Sequence, residues 1–157
     1  MYIWIKQVRK VAESLWKMLK TTNRKKYYMP NAGDSFISTL KQAHLQWGSH
    51  RHTNTRGIVF GEGYLQIPAY IARNLNITNS NSTNNNVYLC STSDGFLNNV
   101  NLKATGCSSA GSIHAKQFHG SGNLRLLGDW FHHINAQIGD QIRIDFIRPS
   151  EILLTKI

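Results

Sequence analysis

The segment Gln141–Ile147 constrains the fold more tightly than any other part of the chain. Ile142, Ile144 and Phe146 alternate with Arg143 and Asp145. A period of two puts every apolar side chain on one face of an extended strand and every polar one on the other. Such a strand is half-buried and cannot stand alone, so the chain must supply neighbours for it. It does so in short pieces. Phe36–Lys41, Tyr64–Ile67, Val87–Ser91, Phe96–Leu102, Ser112–Phe118 and Ile152–Lys156 all read as strands. Thr92-Ser93-Asp94-Gly95, Gly139-Asp140 and Arg148-Pro149-Ser150 read as turns between them. Seven short strands with turn signals predict a mainly β fold with short helices, a sandwich or barrel that is closed or nearly closed.

Two short helices are expected inside this β unit. Ala69–Leu75 follows Pro68, which suits a helix start. Leu124–Ile134 carries Leu127, Trp130, Phe131 and Ile134. Gln42–Gly61 reads as a long polar connection, and Asn76–Asn86 as a loop rich in Asn, Ser and Thr. Its two glycosylation-type triplets, at Asn76 and Asn81, read as chance matches because no signal peptide precedes them.

Before the β unit, residues 3–20 predict an amphipathic helix. Trp4, Val8, Val11, Leu15 and Leu19 form a stripe flanked by Trp16 and Met18, with Lys6, Lys10, Lys17 and Lys20 opposite. The helix can lie on phosphate or an anionic membrane, or pack on the main unit with its lysines in water. The packed arrangement, with no membrane partner, is the expectation. Asn23–Tyr28 reads as a hinge. The organisation expected is thus 1–34 as basic helix and hinge, and 35–157 as one domain, since 157 residues support one real core.

The net charge of +10 is unevenly distributed. Residues 1–26 carry +7, segments 41–73 and 98–128 carry +3 each, and the three remaining stretches carry −1 each. Five of the seven histidines fall in the two +3 segments. Ordinary surfaces mix their signs, so this concentration points to a polyanionic partner. No apolar run is long enough to span a bilayer, and two cysteines do not make a disulfide scaffold. An intracellular, cytoplasmic protein is expected.

The sequence offers no complete catalytic set. Cys90, Cys107, His114 and His119 lack the spacing of a zinc knuckle. His50-Arg51-His52 and His132-His133 have no nearby carboxylates to complete a site. The eight acids are scattered, whereas a metal-dependent nuclease needs them clustered. His114-Ala115-Lys116 matches the H-x-K of phospholipase D enzymes, but Ser121 stands where that motif requires Asp. No enzyme activity, metal or other cofactor is expected of these residues.

Two sets of motifs carry a family resemblance. The first is Leu45-Gln46-Trp47-Gly48-Ser49, then Arg56, then Gly63-Tyr64-Leu65-Gln66-Ile67-Pro68. The second is Gly122-Asn123-Leu124, then Leu127-Gly128-Asp129-Trp130-Phe131, then Ile138-Gly139-Asp140-Gln141-Ile142. In this order they resemble the B3-like DNA-binding effector domains of bacterial type II restriction endonucleases, relatives of the plant B3 domains. The resemblance covers roughly 35–157 and leaves the N-terminal helix outside it. Leu45-Gln46 replaces the commoner Leu-Asn before Trp-Gly, and the connection before Gly63 is long.

The resemblance implies a seven-stranded open pseudobarrel with two helices that grips duplex DNA between two arms. The arms enter the major groove and read a site of five or six base pairs. The first arm falls at about 41–57 and the second at about 103–118, overlapping the two +3 segments. Base-contact candidates are His50, Arg51, Asn54 and Arg56 in the first arm, and His114, Lys116 and Gln117 in the second. Their side chains match the donor and acceptor code of the major groove. Lys41, Ser49, Lys103, Ser112 and Arg125, with Lys25 and Lys26 of the hinge, are the phosphate-contact candidates. Trp47 is expected in the core at the base of the first arm. The reading is a sequence-specific recognition domain, monomeric by itself, whose nuclease domain lies elsewhere in the full protein. An RNA or single-strand binder and a complete small nuclease are the alternatives.

Overall fold

The computed structural model describes residues 2–24, 29–50 and 56–157, except the side chains of 2, 3 and 18–24. Helix α1 spans Tyr2–Arg24. The β unit then runs β1 Ser35–Thr39, α2 Gln42–Leu45, α3 Trp47–His50, β2 Leu65–Gln66, α4 Ala69–Asn74 and β3 Val87–Thr92. It continues with β4 Val100–Thr105, β5 Gln117–Gly120, α5 Leu126–His133, β6 Gln141–Arg148 and β7 Glu151–Lys156.

The seven strands form one sheet in the order β1-β6-β7-β3-β4-β5-β2. All pairings are antiparallel except that of β3 with β7. The outermost strands, β1 and β2, come into contact, so the sheet curls into a nearly closed barrel. The alternation of β6 has the expected consequence. Ile142, Ile144 and Phe146 are buried, while Arg143 points outward. Inside, Tyr88 lies edge-on to Phe118 and Phe146, with ring centroids 5.3 and 6.0 Å apart. The core draws on residues from Phe36 to Leu154.

Five expectations need correction. The Gln42–Gly61 connection holds two further short helices, α2 and α3, making four among the described residues of the β unit rather than two. The strand expected over Phe96–Leu102 begins only at Val100. The turn at Gly95 forms as predicted, but Asp94 and Thr92 keep the chain busy beyond it. Asp94 accepts from the Thr92 hydroxyl at 2.6 Å and the Phe96 N–H at 3.0 Å, and Thr92 Oγ1 accepts from the Leu97 N–H at 2.9 Å. The strand expected over Ser112–Phe118 is shifted to Gln117–Gly120, because side chains of 79 and 81 capture the preceding loop.

Trp47 is half-buried, not a core residue, and meets Tyr64 edge-on at 5.1 Å. Finally, the described part of the α1 stripe does not pack on the β unit. Trp4, Val8, Val11 and Leu15 are all exposed, and none of them joins the core. No described helix is long and apolar enough to cross a membrane.

Candidate nucleic-acid interface

The first arm leaves β1 after Thr39 and returns through 56–64. Its base is an aromatic cluster. The imidazole of His44 is buried, lies 4.8 Å from the Tyr64 ring, and accepts the Lys41 N–H through Nδ1 at 3.1 Å. Burial lowers the pKa of His44, and the neighbouring Lys41 charge lowers it further. The ring is therefore held neutral. Gly48 sits against the returning segment, where a β-carbon would stand 2.1 Å from the Val59 carbonyl oxygen. The Trp-Gly pair thus has a geometric cause: the indole anchors on Tyr64 while the next residue must have no side chain.

Lys41, Ser49 and His50 are exposed around this base. The Ser49 hydroxyl donates back to the Gln46 carbonyl at 3.2 Å. Arg56 is engaged within the chain. Its guanidinium forms an ion pair with Glu62, whose side chain is 4% exposed. That pair ties the two ends of the returning segment together, so Arg56 is a brace of the first arm. Arg51 and Asn54, with Lys25 and Lys26, lie outside the described residues.

The second arm is the loop 106–116 between β4 and β5. Asn79, 1% exposed, controls it. Its Nδ2 donates to the carbonyls of Gly106 at 2.9 Å and Ser112 at 2.8 Å. Its Oδ1 accepts the Asn81 N–H at 2.9 Å. Asn81 in turn donates to the carbonyls of Ser108 at 2.8 Å and Ser112 at 3.0 Å. Thr78 pairs with His114 as an isolated β-bridge. The Asn-rich tract is thus a clamp on the arm, and composition alone had marked it only as loop.

Within the clamped arm, Lys116 is exposed, whereas Ser112 and His114 are half-buried. Ser112 Oγ accepts the His114 N–H at 3.1 Å. Gln117 opens β5 opposite Thr105 and Gln66, and Lys103 sits on β4 in register with His119 and Val87.

Strand β2 links the two arms. At its entry the Tyr64 N–H donates to the His44 carbonyl of the first arm at 3.2 Å. At its exit the Ile67 N–H donates to the Lys116 carbonyl of the second at 2.8 Å. Three residue steps separate these bonds, about 10 Å if the chain is extended throughout. Arg125 stands beside the first arm rather than the second. Its guanidinium lies over Gly61, where a β-carbon would meet Nε at 3.2 Å, and pairs with Asp129 at 3.4 Å. It lines a cleft of about 900 Å³ shared with Gln42 and Gln46. Gly128 permits this approach, since a β-carbon there would lie 1.8 Å from the Gly61 carbonyl oxygen.

Among the described residues no group of three or more His, Cys, Asp or Glu side chains is placed to hold a metal ion. Cys90 is buried, which pushes its thiol up to about 12, and Cys107 is exposed in the second arm. His133 stacks on Phe96 at 4.3 Å and lies 3.9 Å from Asp94. No family model, curated protein or solved structure matches this chain.

Proposed function

We propose that this chain is a B3-like recognition module that binds double-stranded DNA sequence-specifically through its two arms. The observation that carries the reading is the role of β2. The residues on either side of this short strand tie the bases of both arms together through bonds about 10 Å apart along extended chain, close to the roughly 12 Å width of the major groove. Segment 98–128, which contains the second arm, has no acidic residue to repel a phosphate backbone.

Under this reading His50, Arg51 and Asn54 of the first arm and His114, Lys116 and Gln117 of the second face base edges. Lys41, Ser49, Lys103, Ser112, Arg125, Lys25 and Lys26 hold phosphates and set the register. Arg56 moves from the base readers to the supports, because Glu62 engages it. The chemistry of cleavage belongs to a nuclease domain elsewhere in the full protein.

A single-strand binder works by stacking bases on exposed aromatics. Phe60, 76% exposed near the first arm, is a feature that reading would use. Tyr70 and Phe96 are exposed as well, whereas Phe36, Tyr88, Phe118, Trp130, Phe131 and Phe146 are buried and offer no base a surface. Selection from a randomised duplex pool, with single strands as competitors, separates the two. Enrichment of one short duplex motif is the expected result. Retention of single strands in preference to duplexes, dependent on Phe60, would overturn it.

A further inference from the structure

Helix α1 presents an apolar face that the β unit does not use. Trp4, Ile5, Val8, Val11 and Leu15 are each 55–78% exposed. None of them belongs to the core or packs against it. Isolated helices gain little stability from the backbone alone, so a face of this kind calls for a partner.

The spacing within α1 says which partner fits. Trp4, Val8, Val11 and Leu15 follow each other at four, three and four residues, the seam of a heptad pattern. Val8 and Leu15 take the a positions, and Trp4 and Val11 the d positions. The flanks of that seam, which meet the opposing helix in a coiled coil, are Ile5 and Ala12 on one side and Gln7 and Ser14 on the other. None of the four is charged, so two copies meet without like-charge repulsion. Lys6, Lys10 and Lys17 fall on the side opposite the seam, at about 100° of rotation per residue. A helix lying in a bilayer surface instead wants cations beside its apolar stripe, at the level of the headgroups. Between residues 4 and 17, Arg9 is the basic residue that borders the apolar face.

Shape and area agree with this. Trp4, Ile5, Val8, Arg9 and Ala12 surround a trough of about 310 Å³ on the helix surface, a hole that can receive a side chain from a facing helix. Five of the six exposed large apolar side chains described on α1, all but Trp16, offer on the order of 600 Å², most of the roughly 800 Å² that one partner contributes to a standard interface.

We infer that α1 is a self-association element: two copies of this chain pair through the Trp4–Val8–Val11–Leu15 seam, leaving both β units free. The paired state replaces the monomer expected from the sequence. It does not depend on what the arms bind.

Sedimentation equilibrium of the full chain tests it, with the double variant Val8→Lys, Leu15→Lys as comparison. The wild type should show a concentration-dependent doubling of mass, and the variant should remain at the monomer mass. Thermal melting of the β unit should be the same for both, because the seam makes no core contact. A wild type that stays monomeric into the high micromolar range overturns the proposal, as does a variant that still dimerises. Vesicles of phosphatidylglycerol supply the remaining arm. Cosedimentation of a monomeric wild type with them, lost in the variant, would assign the seam to lipid instead.

Discussion

At Gly48 there is no room for even a methyl group. Its β-carbon would collide with the Val59 carbonyl, a backbone atom that cannot turn aside. Gly48→Ala should therefore cost roughly 1–3 kcal/mol in chemical denaturation, and the damage should fall on the first arm. Arg56 poses a sharper question. If it braces Glu62, Arg56→Ala leaves a buried carboxylate without its cation. The loss, discounted for the partial exposure of Arg56, should be about 1–3 kcal/mol of stability. A variant that melts like wild type but loses preference at one base pair would return Arg56 to the base readers. His44 supplies a pH dependence. Its pKa in the folded state is below the ordinary value near 6.5, so the unfolded chain takes up the proton first. The stability from the neutral ring is complete above about pH 6.5 and is lost as pH falls through the folded value. Protonation also converts Nδ1 from the acceptor of the Lys41 N–H into a donor. Denaturation midpoints measured from pH 8 to pH 5 should fall, and His44→Gln should flatten that decline.

At the scale of elements, the two arms are built in different ways. The first is shaped by α2, α3 and close packing under Gly48. The second has no helix and takes its form from the amides of Asn79 and Asn81. Asn79→Ala would orphan the Gly106 carbonyl in part-buried surroundings and leave the Ser112 carbonyl to Asn81 alone, at about 1–3 kcal/mol. Hydrogen exchange of amides in 106–114 should speed up with or without DNA. Discrimination between cognate and random duplexes should fall more than affinity for random DNA, because preorganisation serves base contacts above all. Unchanged exchange would remove the clamp from the account. The strands were legible to different degrees. β6 was plain from its alternation, and β3 and β7 lie within a residue of their expected bounds. β4 and β5 were displaced because Asp94 and Asn79 divert the backbone through side-chain bonds, which no hydrophobic period reports.

At the scale of the whole molecule, charge and architecture separate. The +7 of residues 1–26 stands apart from a core domain whose excess is concentrated in segments 41–73 and 98–128. Removing one phosphate contact lowers the slope of log affinity against log salt by about 0.9. Lys103→Gln should reduce the slope by about that much and leave base preference intact, whereas Lys116→Gln should relax one base position. Titration of cognate and random duplexes at several salt concentrations distinguishes these outcomes. The sequence by itself determined the β class, the amphipathic N-terminal helix and the segregation of charge. Each of these is written in local order, through period, turn chemistry and the sign of neighbouring charges. Only the tertiary structure decided that Arg56 serves Glu62, that Asn79 reaches Gly106 and Ser112, and that Trp4, Val8, Val11 and Leu15 of α1 are exposed. Those outcomes depend on which distant or returning segments meet in space. A guanidinium or a buried amide carries the same donors whatever partner the fold brings to it.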